Sequence, residues 1–152
     1  MRVDAREAAY VEFVTARETH LRRIAYAVCG DWDLADDLLQ TALIRLYVAW
    51  PRVRHLGTED AYVRRIIVRA HVDEHRQHHG PPHDQDATER TALFDALQAL
   101  PAMQRKTVVL RHWLGLSVEE TAEDLGISTA SVRGHSSRAL AALAGLPSRE
   151  AR

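Results

Sequence analysis

The sequence predicts an all-α protein made of two small helical domains that are joined by a short linker. Apolar residues recur at helical spacing through most of the chain. Sustained alternation of apolar and polar residues is nearly absent, and the chain has no Asn-Gly or Asp-Gly pair of the kind that closes tight hairpins. The segment GPPHDQDAT (80–88) contains no large apolar residue and separates three predicted helices from four. We therefore divide the chain into domains at 1–79 and 91–147, a linker at 80–90 and a tail at 148–152.

The first three helices are predicted from their apolar spacing and from residues that start or stop helices. The first runs over about 4–29, and the second runs over about 33–50, where Pro51 ends it. After a polar loop, Thr58 caps a third helix that continues to about residue 77. The residues expected to face inward are Val11, Val14, Leu21, Ile24, Ala25 and Val28 in the first helix, and Leu34, Leu38, Leu39, Ala42, Leu43, Leu46 and Trp50 in the second.

Four shorter helices follow the linker. Leu93, Leu97 and Leu100 line a fourth helix that stops near Pro101, and a fifth covers about 103–114. The last two are predicted over about 117–125 and 128–144.

The last two helices form the strongest motif of the chain, SVEETAEDLGISTASVRGHSSRAL. Ser117 and Glu120 have the spacing of a capping box, Gly126 suits the tight turn, and Ser128 can cap the second helix. An inner face of Val132, Ala139, Leu140 and Leu143 leaves Ser131, Arg133, His135, Ser136 and Arg138 on the other faces. This pattern is typical of a helix-turn-helix whose second helix lies in the major groove of DNA. An ordinary helical hairpin with a solvated polar face is the alternative.

Composition excludes several classes of protein. A hydrophobic fraction of 46% with 27% charged residues is globular rather than disordered. The single cysteine, Cys29, excludes an internal disulfide and a CxxC metal site. No apolar run reaches the roughly 18 residues of a membrane span, and acidic residues near the start argue against a secretory signal, so we expect a cytoplasmic protein.

Charge is unevenly distributed although the net charge is only −1. Residues 31–40 contain four aspartates and no basic residue, whereas residues 128–152 contain four arginines against one acid. Separate acidic and basic surfaces indicate more than one kind of macromolecular partner.

No cofactor, metal or enzymatic activity is predicted. The chain has no GxSxG, HExxH or glycine-rich phosphate loop. Four histidines crowd one helix end, and two of them at helical spacing could share a zinc ion. We favour the interpretation that they replace arginine on a DNA-facing helix; they are His71, His75, His78 and His79.

Over about residues 8–145 the chain resembles a small extracytoplasmic-function sigma factor of bacterial RNA polymerase, which contains only regions two and four of the sigma-70 family. In the first half, LRRIAYAVCGDWDLADDLLQTALIRLYVAW and AYVRRIIVRAHVDEHR are similar to region two. In the second half, LPAMQRKTVVLRHWLGLSVEETAEDLGIS and SVRGHSSRAL are similar to region four and its recognition helix.

The resemblance implies three sets of site residues. The set that docks on core RNA polymerase is Asp36, Asp37, Leu38 and Gln40. The set that holds the promoter −10 strand is Tyr62, Arg64, Arg65, Arg69 and Arg76, with the loop over 51–60 capturing an unstacked base. The set that reads the −35 duplex is Ser128, Ser131, Arg133, His135 and Arg138.

The resemblance therefore implies a sigma factor that recruits core RNA polymerase to −10 and −35 promoter elements. Its expected partners are core RNA polymerase and promoter DNA, an anti-sigma factor is a further candidate partner, and no membrane is involved. The alternative is a free-standing helix-turn-helix regulator whose N-terminal bundle binds an effector or dimerises.

Overall fold

The structure, a computed structural model, describes residues 5–70 and 92–145, and within these residues it contains seven α-helices and no strand. The predicted all-α class is confirmed. The first half contains α1 (Ala5–Cys29), α2 (Trp32–Leu56) and α3 (Glu59–Arg69). The second half contains α4 (Ala92–Ala99), α5 (Ala102–Val108), a π-helical turn (Val109–Trp113), α6 (Val118–Leu125) and α7 (Thr129–Leu143). The predicted linker and tail lie outside the described residues.

The buried face of α2 differs from the predicted one. Leu34, Leu38 and Leu43 are only partly buried, and they flank a stripe whose centre holds the small residues Ala35 and Ala42. Small side chains let α1 and α3 approach the helix closely, while the longer leucines cover the margins of the contact. The fully buried members of the stripe are Trp32, Ala35, Leu39, Ala42, Leu46, Trp50 and Val53.

The prediction that Pro51 ends the second helix is wrong. The helix continues through Pro51 to Leu56, so most of the expected loop over 51–60 is helical. Val53 is 1% exposed and extends the buried stripe beyond Trp50, which favours the helical path, and Pro51 itself is exposed. The helix ends instead at Gly57, whose φ of 70° is the left-handed conformation that glycine adopts without strain.

Two end signals of the first half also behave differently from expectation. Thr58 occupies the N-cap position of α3, but its side chain makes no capping hydrogen bond. The helix ends at Arg69 because Ala70 is extended, so the predicted continuous helix to residue 77 is wrong at this point. Residues 71–77 lie outside the described part.

One residue of α1 also differs from its prediction. Val11 was expected to face inward, but it is 55% exposed.

One continuous core joins the two halves. Tyr26 of α1 stacks on Trp32, with ring centroids 3.9 Å apart, and on Phe94 of α4, with centroids 4.8 Å apart. Val109 and Leu110 from the π-helical turn are buried in the same cluster as Ile24, Val28 and Ile67. The described residues of the two halves are therefore packed against each other.

Polar side chains of the second half complete this contact by binding carbonyl groups at helix ends of the first half. Gln98 donates to the carbonyl of Ala27 at 2.8 Å, and the buried guanidinium of Arg105 donates to that of Val28 at 2.6 Å. Lys106 donates to the carbonyl of Ala70 at 3.1 Å. Burial, and then the neighbouring Arg105, lower the pKa of Lys106 below its usual value. These contacts satisfy carbonyls that the ends of α1 and α3 leave without helical partners.

Candidate nucleic-acid interface

The predicted helix-turn-helix is present in α6 and α7. The Ser117 hydroxyl accepts from the Glu120 backbone N–H at 2.9 Å, and a Glu120 carboxylate oxygen accepts from the Ser117 N–H at 2.9 Å. Gly126 ends α6 with a φ of 70°, and the Ser128 hydroxyl caps α7 by accepting from the Ser131 N–H at 3.0 Å. The capping box, the turn glycine and the second cap are all confirmed.

The inner face of α7 is narrower than predicted. Val132 and Ala139 are buried, but Leu140 is 44% exposed and Leu143 is only half-buried. The helix therefore contacts the rest of the second half mainly through its first three turns, where it packs on α5 and α6.

The residues predicted to read duplex DNA lie along α7 in different surroundings. Arg133 is exposed and makes no hydrogen bond or ion pair with any described residue. The Ser128 hydroxyl donates to the Ser131 hydroxyl at 3.0 Å, which leaves the Ser131 O–H as a donor at the helix start. A guanidinium held on the outer face without a partner can bond guanine edges or phosphates.

Arg138 folds back along the helix. Its Nη2 lies 3.3 Å from Nδ1 of His135, and its guanidinium covers Gly134, where an added Cβ would lie 3.3 Å from Nη1. The missing side chain at Gly134 thus leaves room for this arginine. Burial, followed by the Arg138 charge, lowers the pKa of His135, which favours its neutral form near pH 7.

The residues predicted to dock on polymerase lie on the first part of α2. Asp31 caps this helix by accepting from the Leu34 N–H at 3.0 Å. Asp36 pairs with Arg22 of α1, with Nε and Oδ1 3.0 Å apart, and Leu38 is half-buried against the core. Asp37 and Gln40 are exposed. Asp37 and Gln40 are therefore the most exposed members of the set, while Asp36, whose side chain is 48% exposed, is partly engaged by Arg22.

The same face of α2 continues into exposed apolar residues. Counting from Asp37, helical steps of three and four residues lead through Gln40 to Ile44 and on to Tyr47 and Val48. Ile44 is 65% exposed, Tyr47 is 43% exposed and Val48 is 74% exposed. We call this row the α2 face; only its polar residues, Asp37 and Gln40, were predicted as a binding surface.

Tyr62 and three of the predicted −10 arginines lie on α3. Tyr62 is half-buried and packs against the core. Arg64 and Arg65 both bond the carboxylate of Asp124 in α6, and Arg69 bonds backbone carbonyls of the same helix. The fourth arginine, Arg76, and the histidine cluster lie outside the described residues.

A cleft of about 840 Å³ separates α2 from α3. Tyr62 and the apolar side chains of Leu38, Val53 and Ile66 form part of its wall. Four arginines also line it, and they are Arg45, Arg52, Arg65 and Arg69. An aromatic ring among cations is the combination that binds single-stranded nucleic acid, through base stacking and phosphate attraction.

Sequence reasoning missed the residues that hold the two halves together. Asp124 is fully buried, and Arg105 and Lys106 are 4% and 6% exposed, which is rare for charged residues. Two features of the sequence could have indicated this burial. Asp124 stands next to the apolar face of α6, and Arg105 and Lys106 form a basic pair between the apolar residues Leu100 and Val109. Within residues 5–70 and 92–145, no group of three potential metal ligands comes together. No helix in these ranges is long and apolar enough to cross a membrane.

The fold and the site define a two-part helical protein with a helix-turn-helix in its second half and a basic cleft in its first. Comparison with known families agrees with this class. The family model "Sigma-70 region 2" matches residues 13–80, and the model "Sigma-70, region 4" matches residues 90–150.

Named relatives span most of the chain. The RNA polymerase sigma-E factor of Streptomyces coelicolor is 39% identical over 147 residues, which cover 88% of this chain and 83% of the relative. The ECF RNA polymerase sigma factor SigM of Mycobacterium tuberculosis is 29% identical over 150 residues, covering 91% of this chain and 76% of the relative. The chain belongs to the sigma-70 family and is a sigma factor of the extracytoplasmic-function group. Sigma factors are transcription initiation factors rather than enzymes.

A solved structure shares the fold. The sigma factor RpoE of Bartonella quintana, in complex with the anti-sigma factor NepR, has a TM-score of 0.68 and 19% sequence identity. The match covers 89% of this chain and 94% of that one. The alternative of a free-standing helix-turn-helix regulator is not favoured.

Proposed function

We propose that this sigma factor binds core RNA polymerase through the α2 face, holds the −10 strand in the cleft between α2 and α3, and reads the −35 duplex with α7. The proposal assigns region two to 1–79 and region four to 91–147, with 80–90 as the linker and 148–152 as a tail. It includes no catalytic step by this chain, and it locates the protein in the cytoplasm, where bacterial polymerase and promoters are. The observation that carries it is the presence, in one chain, of a capped helix-turn-helix and an exposed acidic-apolar helix face.

The α2 face suits a basic protein surface with apolar neighbours. Asp37 supplies an exposed negative charge, and Ile44 and Val48 expose apolar area of the kind that marks a protein-binding site. Asp36 contributes its charge less directly because Arg22 already neutralises part of it. Leu38, which is half-buried, adds apolar area beside the face.

The cleft suits a single strand because four arginines and an aromatic ring line one space. Arg45 and Arg52 come from the α2 side of the cleft, and Arg65, Arg69 and Tyr62 come from the α3 side. Phosphates can follow the arginines while a base stacks on the ring. Arg64 and Arg76 complete the proposed strand-binding set.

On α7, the proposal gives base reading to Arg133 and His135 and phosphate contacts to Ser128, Ser131 and Arg138. Arg133 is exposed and carries a full charge, whereas the pKa of His135 is lowered, so His135 acts as a neutral hydrogen-bonding group. Phosphate contacts fix the register of the helix, and base contacts supply sequence preference. An anti-sigma factor remains a candidate partner because RpoE of Bartonella quintana is bound to one.

Core-polymerase binding tests the proposal most directly. We expect wild-type chain to be retained by immobilised core RNA polymerase, and Asp36→Lys with Asp37→Lys to abolish retention because it reverses the acidic charge on the α2 face and beside it. Asp37→Lys alone should cause most of the loss, and Val48→Lys should weaken binding through the apolar half. Glu12→Lys, which reverses an exposed acid of α1, is the matched control. Retention of the double variant at the wild-type level, with unchanged circular dichroism, would reject the α2 face.

A further inference from the structure

The strand-binding arginines of α3 are occupied by α6. Nε and Nη2 of Arg64 bond the two carboxylate oxygens of Asp124, the second at 3.2 Å. Nε of Arg65 bonds Asp124 at 2.8 Å, and its Nη2 bonds the carboxylate of Glu123 at 2.8 Å. Arg69 donates to the backbone carbonyls of Asp124 and Glu123, each at 2.7 Å. Three guanidiniums from the first half therefore converge on the last turn of one helix in the second half.

Burial makes the Asp124 carboxylate depend on its partners more than the acid of a surface ion pair does. The Asp124 side chain is fully buried, while those of Arg64 and Arg65 are 17% and 35% exposed. A buried carboxylate is stable only when it is paired and hydrogen-bonded, so Asp124 requires these arginines where it lies. The hydrogen bond to Asp124 is the largest of the effects that raise the pKa of Arg65. Arg69 adds a separate contribution because its charge lies at the C-terminus of α6, the negative end of that helix.

The contact uses the same atoms that a promoter strand would need. Arg65 and Arg69 line the cleft between α2 and α3, yet their guanidiniums point to Glu123 and Asp124. A phosphate and a carboxylate bind the guanidinium fork in the same two-point geometry, so they compete for it. Lys106, Arg105 and the shared core fix the second half, which contains α6, against the first.

We propose that Glu123 and Asp124 are an intramolecular competitor of promoter DNA, which keeps the free sigma factor closed and its −10 surface occupied. This inference rests on the proposed role of the α3 arginines in strand binding. The partner of the surface is nucleic acid phosphate, and α6 is its substitute within the chain. Strand binding then requires α6 to leave α3, so the apparent affinity of the free chain is reduced by the fraction of molecules that are open.

Variants of the two acids test the competition on the full chain. The combined change Glu123→Gln and Asp124→Asn removes both charges with little change in shape. The probe is a fluorescent 12-nucleotide single strand of random sequence, titrated at fixed salt. We expect about tenfold tighter binding than for wild type, because charged hydrogen bonds that favour the closed form are weakened. Glu119→Gln, on the exposed side of the first turn of α6, is the matched control and should leave the affinity unchanged.

Small-angle scattering without DNA tests closure separately. A compact chain of this length has a radius of gyration of about 15 Å, and we expect wild type and Glu119→Gln to lie near it and the double variant to be clearly larger. Should the double variant lose its helical circular dichroism, Glu123→Gln alone, at a side chain that is 69% exposed, replaces it with a smaller expected gain.

A failure of the proposed DNA role of α3 can be told apart from a failure of the intramolecular competition. The variant for this purpose adds Arg64→Ala and Arg65→Ala to the double acid variant. If these changes do not weaken strand binding by the double acid variant, the proposed DNA role of α3 is wrong. If they do weaken it, while the acid variants match wild type in both affinity and radius, the DNA role stands and the intramolecular competition is rejected.

Discussion

Arg133 and Arg138 lie on one helix, five residues apart, and their surroundings give them different tasks. Arg133 extends from α7 without a partner among the described residues, whereas Arg138 lies along the helix beside His135. A side chain free to reach into the groove can distinguish bases, and one held against its own helix is better suited to phosphate.

Replacing Arg133 should therefore change sequence preference. We expect Arg133→Ala to lose about 1–3 kcal/mol of discrimination at one −35 base position, because a bidentate contact to a base edge is removed. Arg138→Ala should weaken binding to all sequences alike. Selection of bound duplexes from a pool randomised at the −35 element, with reconstituted holoenzyme, measures both. An unchanged base profile for Arg133→Ala would contradict the assignment.

Gly134 allows a second prediction at the residue scale. It lies within α7, where glycine costs about 1 kcal/mol relative to alanine, and the nearest obstacle to a Cβ is the flexible end of Arg138. We expect Gly134→Ala to raise the free energy of unfolding by up to about 1 kcal/mol. The same change at Gly126, where φ is 70°, should lower it because alanine is strained there. Urea unfolding of both variants checks the opposite signs.

At the scale of single elements, α6 depends on its capping box for a defined start. The two hydrogen bonds between Ser117 and Glu120 satisfy donors that the first turn leaves without helical partners. The Ser117 backbone N–H, and then its hydroxyl, lower the pKa of the Glu120 carboxyl below its usual value. The first turn of α6 is therefore stabilised by the ionised form of Glu120.

The capping box should make stability depend on pH in a defined direction. The pKa of Glu120 is lower in the folded chain than in the unfolded chain, so the unfolded chain binds more protons in acid. The stability that Glu120 contributes is therefore present above about pH 4.5 and is lost as pH falls through the folded pKa. We expect Glu120→Gln, which keeps an amide oxygen as acceptor, to reduce this acid dependence. Ser117→Ala should cost about 1 kcal/mol at pH 7. Urea unfolding from pH 3 to 7 measures both, and an equal loss of acid dependence in Glu119→Gln would contradict the assignment.

Elements also differ in how well their ends could be predicted. Ser117, Gly126 and Ser128 act on backbone groups within a few residues of themselves, so the helix-turn-helix could be read from local sequence. Pro51 is a local stop signal as well, but it was outweighed by Val53, whose burial depends on the packing of α2 against the other helices. Tertiary contacts decide where such a helix ends.

At the scale of the whole molecule, the contact between the halves could not be derived from the sequence. Arg64 and Asp124 are 60 residues apart, and Arg105 and Val28 are 77 apart. No periodicity or capping rule links residues at that separation. The sequence therefore predicted the all-α class and the helix-turn-helix correctly, but not that α6 of the second half covers the α3 arginines of the first.

The linker supplies a prediction at this scale. From His79 to Thr91 the fully extended chain spans at most about 40–43 Å, and the two promoter elements lie on separate turns of the duplex. Deleting Pro82 to Gln85 removes about 13–14 Å of reach. We expect promoter-dependent transcription to collapse while core-polymerase binding persists. Inserting four glycine and serine residues is the control and should matter much less, since loop entropy grows only slowly with length. Equal transcription from the deletion and wild type would show that the linker does not limit the reach between the elements.

The burial of Val109 and Leu110 among the first three helices has a consequence for biosynthesis. About 40 residues separate Ala70 from Leu110, and at about 5–20 residues per second a ribosome needs about 2–8 s to add them. During that interval the nascent bundle presents an apolar face whose covering residues have not yet been made. A chaperone or a polymerase that meets the nascent chain in this interval finds α3 without its later competitor.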